Sequence, residues 1–164
     1  MQEQVTLVPE SEFRVEVDSG VHLKIELISG FAEIFGAELP RRMPILKSGP
    51  VKFAIFSWQG AKLIVTGKMS SHYISSDTPM VTYLNVHLVL TELRKKAQDK
   101  FKPGPTIVVT GRRFSGKSTF CHILLNYALK TGWSPLYADL NVKSNDFAPP
   151  GCVGVVLPEF PVPH

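Results

Sequence analysis

The chain has 164 residues, 44% hydrophobic and 20% charged, which is room for one ordinary domain or two small ones of globular composition. Those proportions exclude a disordered tail, a collagen and a coiled coil. No run of about eighteen apolar residues offers a membrane span, and the start Met1-Gln2-Glu3-Gln4 lacks the basic region and apolar core of a secretory signal. Eighteen Lys and Arg against 14 Asp and Glu leave a net charge of +4, compatible with an acidic partner such as RNA, and two cysteines, Cys121 and Cys152, fit a reducing compartment.

Residues 5 to 76 read as β. Phe13, Val15 and Val17 alternate with Arg14 and Glu16, and Leu23, Ile25 and Leu27 alternate with Lys24 and Glu26, the period of a half-buried strand. Further strands are expected over 31–35, 52–58, 62–66 and 72–75, separated by turn residues such as Ser19-Gly20 and Ser48-Gly49-Pro50. Short strands at this spacing predict a small antiparallel sandwich or barrel. At Asp77-Thr78-Pro79 the pattern changes. Asp77 or Thr78 can cap a helix that Pro79 opens, and Tyr83, Val86, Leu90, Leu93 and Ala97 then fall on one helical stripe. The organisation expected is a β-rich domain over 1–77, a connector helix over 78–102 and a third segment over 103–164.

In that segment Thr106 to Thr110 is a β-branched run expected to form a buried parallel strand. A loop follows, then a helix with Cys121, Leu124, Leu125 and Ala128 on its apolar stripe, stopped at Gly132, and a second strand over 135–140. The fold class is therefore α+β: an antiparallel sandwich or barrel, a connector helix, and the start of a P-loop α/β unit.

The loop Gly111-Arg112-Arg113-Phe114-Ser115-Gly116-Lys117-Ser118-Thr119 fits G-x-x-x-x-G-K-[ST] between a strand and a helix, the context that supports a P-loop. Glycines let backbone N–H groups turn inward as an anion nest, and the following helix aims its positive end at phosphates. Gly111, Phe114, Ser115 and Gly116 supply the cradle, and Lys117 is expected to reach the β- and γ-phosphates of ATP. Ser118 is expected to ligate Mg²⁺ and Thr119 to donate to an α-phosphate. Arg112 and Arg113 either face a nucleic-acid phosphate or remain solvated. Asp139 is either an acidic group near the metal or an exposed strand end. His22, His72, His87, His122 and His164 show no metal-ligand spacing, Cys121 reads as core, and Trp58 and Tyr73 as packing of the β domain.

Over most of its length the chain resembles the eukaryotic polyribonucleotide 5′-hydroxyl-kinase family whose members are subunits of pre-mRNA cleavage complex II (the Clp-one proteins). The resemblance rests on Ser29-Gly30-Phe31-Ala32-Glu33-Ile34-Phe35-Gly36-Ala37-Glu38-Leu39, on Asp77-Thr78-Pro79-Met80 and Tyr83-Leu84-Asn85-Val86-His87, on the P-loop, on Leu124-Leu125-Asn126-Tyr127-Ala128 and on Pro150-Gly151. It implies a β-rich N-terminal domain that helps to hold the nucleotide, a P-loop kinase domain and a C-terminal domain. It also implies transfer of the ATP γ-phosphate to an RNA 5′ end, or ATP bound without turnover, in mRNA 3′-end formation and, in animals, tRNA splicing. Partners would be cleavage-factor subunits, the location nuclear, and no membrane involved. By the same resemblance Glu12 and Lys52 are ATP-binding residues.

Two departures temper that expectation. The family pattern L-D-x-x-Q carries the candidate base for the RNA hydroxyl; here Asn141 stands at the aspartate and Ser144 at the glutamine. An amide does not accept a proton as a carboxylate does; Asp139, two residues earlier on the same strand face, would substitute only if the loop shifted. The chain also stops soon after the first βαβ unit, which points to shelter by the β domain or to a fragment, split-gene product or incomplete gene model. The sequence thus leaves open a kinase, a nucleotide-containing module of an RNA-processing complex and an inactive truncated product, with little transfer expected from this chain alone.

Overall fold

The computed structural model describes residues 2–143, 145 and 147–162. Met1, Ser144, Asp146, Pro163 and His164 lie outside the described residues, and so do the readings placed on Met1, Ser144 and His164. Packing divides the chain into two compact units, one up to Val81 and one from Thr82 onward.

The first unit holds nine strands in chain order: β1 (Gln2–Leu7), β2 (Ser11–Val17), β3 (His22–Gly30), β4 (Glu33–Ile34), β5 (Ala37–Glu38), β6 (Ile45–Ser48), β7 (Val51–Ser57), β8 (Ala61–Thr66) and β9 (Ser71–Ser75). They form a four-stranded sheet, β1-β8-β3-β6, and a five-stranded sheet, β5-β4-β7-β2-β9, with every ladder between them antiparallel. The period of two does its expected work. Val5, Leu7, Leu23, Ile25, Leu27, Leu63 and Val65 from the first sheet share one core with Phe13, Val15, Val17, Phe53 and Ile55 from the second. Each fully buried Leu, Ile or Phe contributes about 1.5–3 kcal/mol relative to exposure. A register shift between Leu27 and Ser29 leaves Ile28 on the surface while Leu27 stays opposite Leu63. Strands β1, β5 and β6 lie outside the strands expected from the pattern, and 31–35 holds only the two-residue β4, from which the chain turns through Phe35 and Gly36 (φ 49° and 80°) into β5.

Helix α1 (Met80–Asp99) starts where the cap signal places it. The Thr78 hydroxyl accepts the Met80 N–H at 3.4 Å and donates to Glu12 Oε2 at 2.8 Å, so it caps the helix and partners a strand carboxylate at once.

In the second unit the rest of α1 runs beside α2 (Lys117–Lys130) in the same direction. Tyr83 meets Phe120 (4.9 Å between ring centroids), His87 meets Tyr127 (5.6 Å), and the Arg94 guanidinium lies 5.9 Å from the Trp133 ring centroid. The inner line of α1 is therefore His87, Leu90 and Arg94. Leu93, expected on the stripe, is 44% exposed. The middle of α2 is buried all round from His122 to Ala128, while Cys121 is half-buried. At its end Trp133 N–H bonds to Ala128 O and Gly132 N–H to Leu129 O, a Schellman stop with Gly132 at φ 80°. Asn126 is fully buried: its Nδ2 donates to Val162 O (3.1 Å) and its Oδ1 accepts Val162 N–H (2.8 Å).

The expected parallel pair is not formed. Residues 106–110 form no ladder among the described residues, and Val108 is 75% exposed. An apolar β-branched run is a buried strand only when neighbouring strands and helices cover it. Strand β10 (Tyr137–Asp139) instead pairs antiparallel with β11 (Gly154–Val156), shorter than the strand expected over 135–140. The broad class stands: a sandwich, a helix and the start of a P-loop unit, with mostly antiparallel sheets.

Candidate functional site

The loop from Gly111 to Gly116 closes onto the first turn of α2. Ser115 N–H donates to Arg112 O at 3.3 Å, and Phe120 N–H to Gly116 O at 2.9 Å. Gly116 opens the helix at φ 80°, ψ 16°, a left-handed conformation that a side chain would strain. An added Cβ at Gly111 would lie 3.1 Å from Ser115 Oγ, a close approach that the serine would have to relieve by a few tenths of an ångström. No side chain caps α2, and its first turn holds no acid. The N–H groups of that turn are thus left for an outside acceptor.

Lys117 turns back over the loop, its Nζ donating to Arg112 O at 2.6 Å. Ser118 is exposed and Thr119 half-buried beside it. Arg112, Arg113 and Phe114 form the exposed tip, with Phe114 at φ 61° and the Arg113 guanidinium 4.7 Å from its ring centroid. The donor set suits a polyphosphate: a glycine cradle, an ammonium at its rim and a free hydroxyl of the kind that ligates Mg²⁺.

Asp139 ends β10, and its Oδ1 accepts Asn141 N–H at 2.9 Å, so the chain turns there and Asn141 lies past the strand. The two are not on one strand face as the sequence reading supposed. Asn145 Nδ2 bonds to Asp139 O at 3.0 Å and further fixes that turn. The Asp139 charge reaches Cys121, one turn along α2 from Lys117. Burial pushes the Cys121 thiol up, and Asp139 adds to the shift.

In the sandwich, Glu12 and Lys52 lie on one face of the five-stranded sheet but not together. Lys52 stands opposite Glu16, four residues along β2 from Glu12 and roughly 13 Å away. Lys52 is exposed and pairs with Glu16 Oε1 at 2.7 Å. Glu12 is 5% exposed, held by the Arg14 guanidinium and the Thr78 hydroxyl. Arg14 is itself anchored to Tyr73 Oη (3.2 Å) and Asp77 O (2.7 Å); its hydrogen bonds to Tyr73 and to Glu12 raise its pKa, and Tyr73 is 53% exposed rather than packed. The sequence reading missed Arg14; its signal was the row of charges Glu12, Arg14 and Glu16 on one strand face. Trp58 packs edge-on to Phe56, at 4.7 Å. Among the described residues no group of three or more His, Cys, Asp or Glu side chains can hold a metal, and no helix is long and apolar enough to cross a membrane.

A β-sandwich module followed by a P-loop module defines the class. Residues 6–97 match the family model for the N-terminal beta-sandwich domain of polyadenylation factor, and residues 111–164 that for the mRNA cleavage and polyadenylation factor CLP1 P-loop. The chain belongs to the CLP1 family of mRNA cleavage and polyadenylation factors. It is 46% identical over 157 residues to the protein CLP1 homolog of Drosophila ananassae, covering 95% of this chain and 37% of that one. It is 40% identical over 152 residues to the polyribonucleotide 5′-hydroxyl-kinase Clp1 of Bos taurus, covering 93% and 36%. The solved wild-type Clp1p–Pcf11p (454–563) complex shares the fold at a TM-score of 0.85 and 24% identity, covering 94% of this chain and 36% of that one. The chain thus spans a little over a third of the length of the relatives it matches.

Proposed function

We propose that this chain is the nucleotide-binding portion of a CLP1-type RNA-processing factor, with ATP as its nucleotide and the 5′-hydroxyl of an RNA as the acceptor it serves. The observation that carries this is the loop itself: a glycine cradle on an uncapped helix start, with Lys117 Nζ folded over its rim. Backbone N–H groups of 111–119 hold the phosphates, Lys117 exchanges Arg112 O for phosphate oxygens, and Thr119 donates to the α-phosphate. Ser118 would hold Mg²⁺, which would supply charge neutralisation at the phosphates. The relatives' names, a polyribonucleotide 5′-hydroxyl kinase and a subunit in complex with Pcf11p, support an RNA end and a cleavage-factor subunit as partners; a nuclear location is part of the same proposal.

In the transfer the RNA 5′-oxygen bonds to the γ-phosphorus as the bond to the β,γ-bridging oxygen breaks, ADP leaves, and the hydroxyl proton goes to a base. Asn141 offers an amide where that base is expected, and Asp139 is engaged by the Asn141 N–H. This favours a second reading, in which ATP is a structural ligand that stabilises the fold it binds. Calorimetry with Mg·ATP and labelling of a 5′-hydroxyl oligoribonucleotide separate the two. Binding that weakens about 10- to 150-fold in Lys117→Ala, the worth of a hydrogen bond to a charged group, supports the site. Labelling at a rate above background selects the kinase, and binding without labelling selects the structural ligand. No binding by the folded wild-type chain overturns both.

A further inference from the structure

We infer that the P-loop tip, Arg112-Arg113-Phe114, is a docking point for the 5′-terminal nucleotide of a single-stranded RNA. The terminal base stacks on the Phe114 ring, and the neighbouring phosphate sits on the arginines. The inference rests on the phosphate-binding reading of this loop and adds to it a site for the acceptor.

Four features converge. The Phe114 ring is 90% exposed, on a residue held at φ 61°, so most of its surface is open to a guest. The Arg113 guanidinium lies 4.7 Å from the ring centroid and, as a cation–π partner over one face, leaves the other to a planar guest. Arg112 and Arg113 are exposed, no described ion pair involves either, and the stretch 106–130 contains no Asp or Glu. An aromatic face next to uncompensated positive charge is the pair of contacts by which single strands are held, base on ring and phosphate on cation.

The last feature is place. Lys117 Nζ lies on Arg112 O, so the tip begins where the lysine would meet the β- and γ-phosphates. An acceptor must approach the γ-phosphorus roughly in line with the leaving oxygen. That puts its terminal nucleotide at this rim. The adenine of ATP lies beyond the α-phosphate, at the other end of the triphosphate, so the base on Phe114 is the acceptor's.

The test uses the full chain with a non-hydrolysable ATP analogue and a short, 3′-fluorescein-labelled 5′-hydroxyl oligoribonucleotide, read by anisotropy. Calorimetry with ATP runs in parallel on Phe114→Ala, Phe114→Trp and Arg113→Gln. Phe114→Ala is expected to weaken RNA binding about 5- to 150-fold, the worth of one base stack, and Phe114→Trp to retain it. Arg113→Gln is expected to lower the salt slope by about 0.7. A photoreactive 4-thiouridine is expected to crosslink to the loop from the 5′ end and not from the 3′ end. A Phe114→Ala effect on RNA no larger than its effect on ATP overturns the inference and assigns the ring to the adenine. Equal crosslinking from both ends, or no RNA binding by a chain that binds ATP, overturns it as well. Loss of ATP binding in the wild type, or its survival in Lys117→Ala, instead sinks the phosphate-binding reading and this inference with it.

Discussion

The sandwich and the P-loop unit use similar residues to opposite ends. In the first, apolar side chains alternate along strands that have partners on both sides, and Leu23, Ile55 and Leu63 have no exposed surface. In the second, β-branched and aliphatic residues of the same kind, Ile107, Val108, Leu136 and Leu140, remain 44% to 75% exposed. An apolar run does not bury itself. It is buried when the strands on either side of it are present, and residues 106–110 have none among those described. The functional loop follows the less complete of the two frameworks, so its geometry rests on α2 and on local turns rather than on a sheet.

That contrast can be broken or sharpened by measurement. The largest effect belongs to the sandwich core. Leu63→Ala is expected to cost about 2–5 kcal/mol, read as a lower urea midpoint of the β signal. A cost below about 1 kcal/mol would erase the distinction between the units. Thr78→Ala removes the helix cap and the hydroxyl on Glu12 together, and about 1–2 kcal/mol is expected from an equilibrium melt.

A smaller effect comes with pH. Burial, with Arg94 adding to it, holds the His87 imidazole below its ordinary value of 6.5. The unfolded chain therefore takes up a proton as pH falls through about 6.5, while the folded chain does not until lower pH. Stability present above that point is lost between the two values. His87→Gln is expected to flatten this part of the pH profile of the helix melt; an unchanged slope would assign it elsewhere. Smallest of all, Val108→Thr is expected to fall within about 0.5 kcal/mol of the wild type, since that side chain is already in water. A larger loss would show that the run is covered in solution.

Legibility followed the distance over which each feature is encoded. Strands β2, β3, β7, β8 and β9, the start of α1 and the stop at Gly132 all have their signals within a few residues. The P-loop was legible for the same reason: spacing, glycines and helix start lie in one short stretch. Strand β6 was missed because Pro44 and Gly49-Pro50 leave it four residues with little alternation. The 106–110 run was misplaced because its pattern reports suitability for burial and not the presence of a cover. Arg14 was invisible as a partner for Glu12 because its own anchors, Tyr73 and Asp77, come from across the β2–β9 register, and the second partner, Thr78, lies 66 residues away in sequence.

Asn126 carries a consequence for how this protein ages. Its amide donates to and accepts from Val162, and the donating role is one that a carboxylate cannot play. Spontaneous deamidation would replace the donor by a carboxylate oxygen facing the Val162 carbonyl, in a place with no solvent exposure to screen it. The helical, buried setting that makes the clasp useful also shields the amide from attack, so the chemical clock of this residue is tied to the folding equilibrium. Each unfolding event exposes the amide, and an amide hydrolysed in that interval cannot restore the same closure of the chain onto α2.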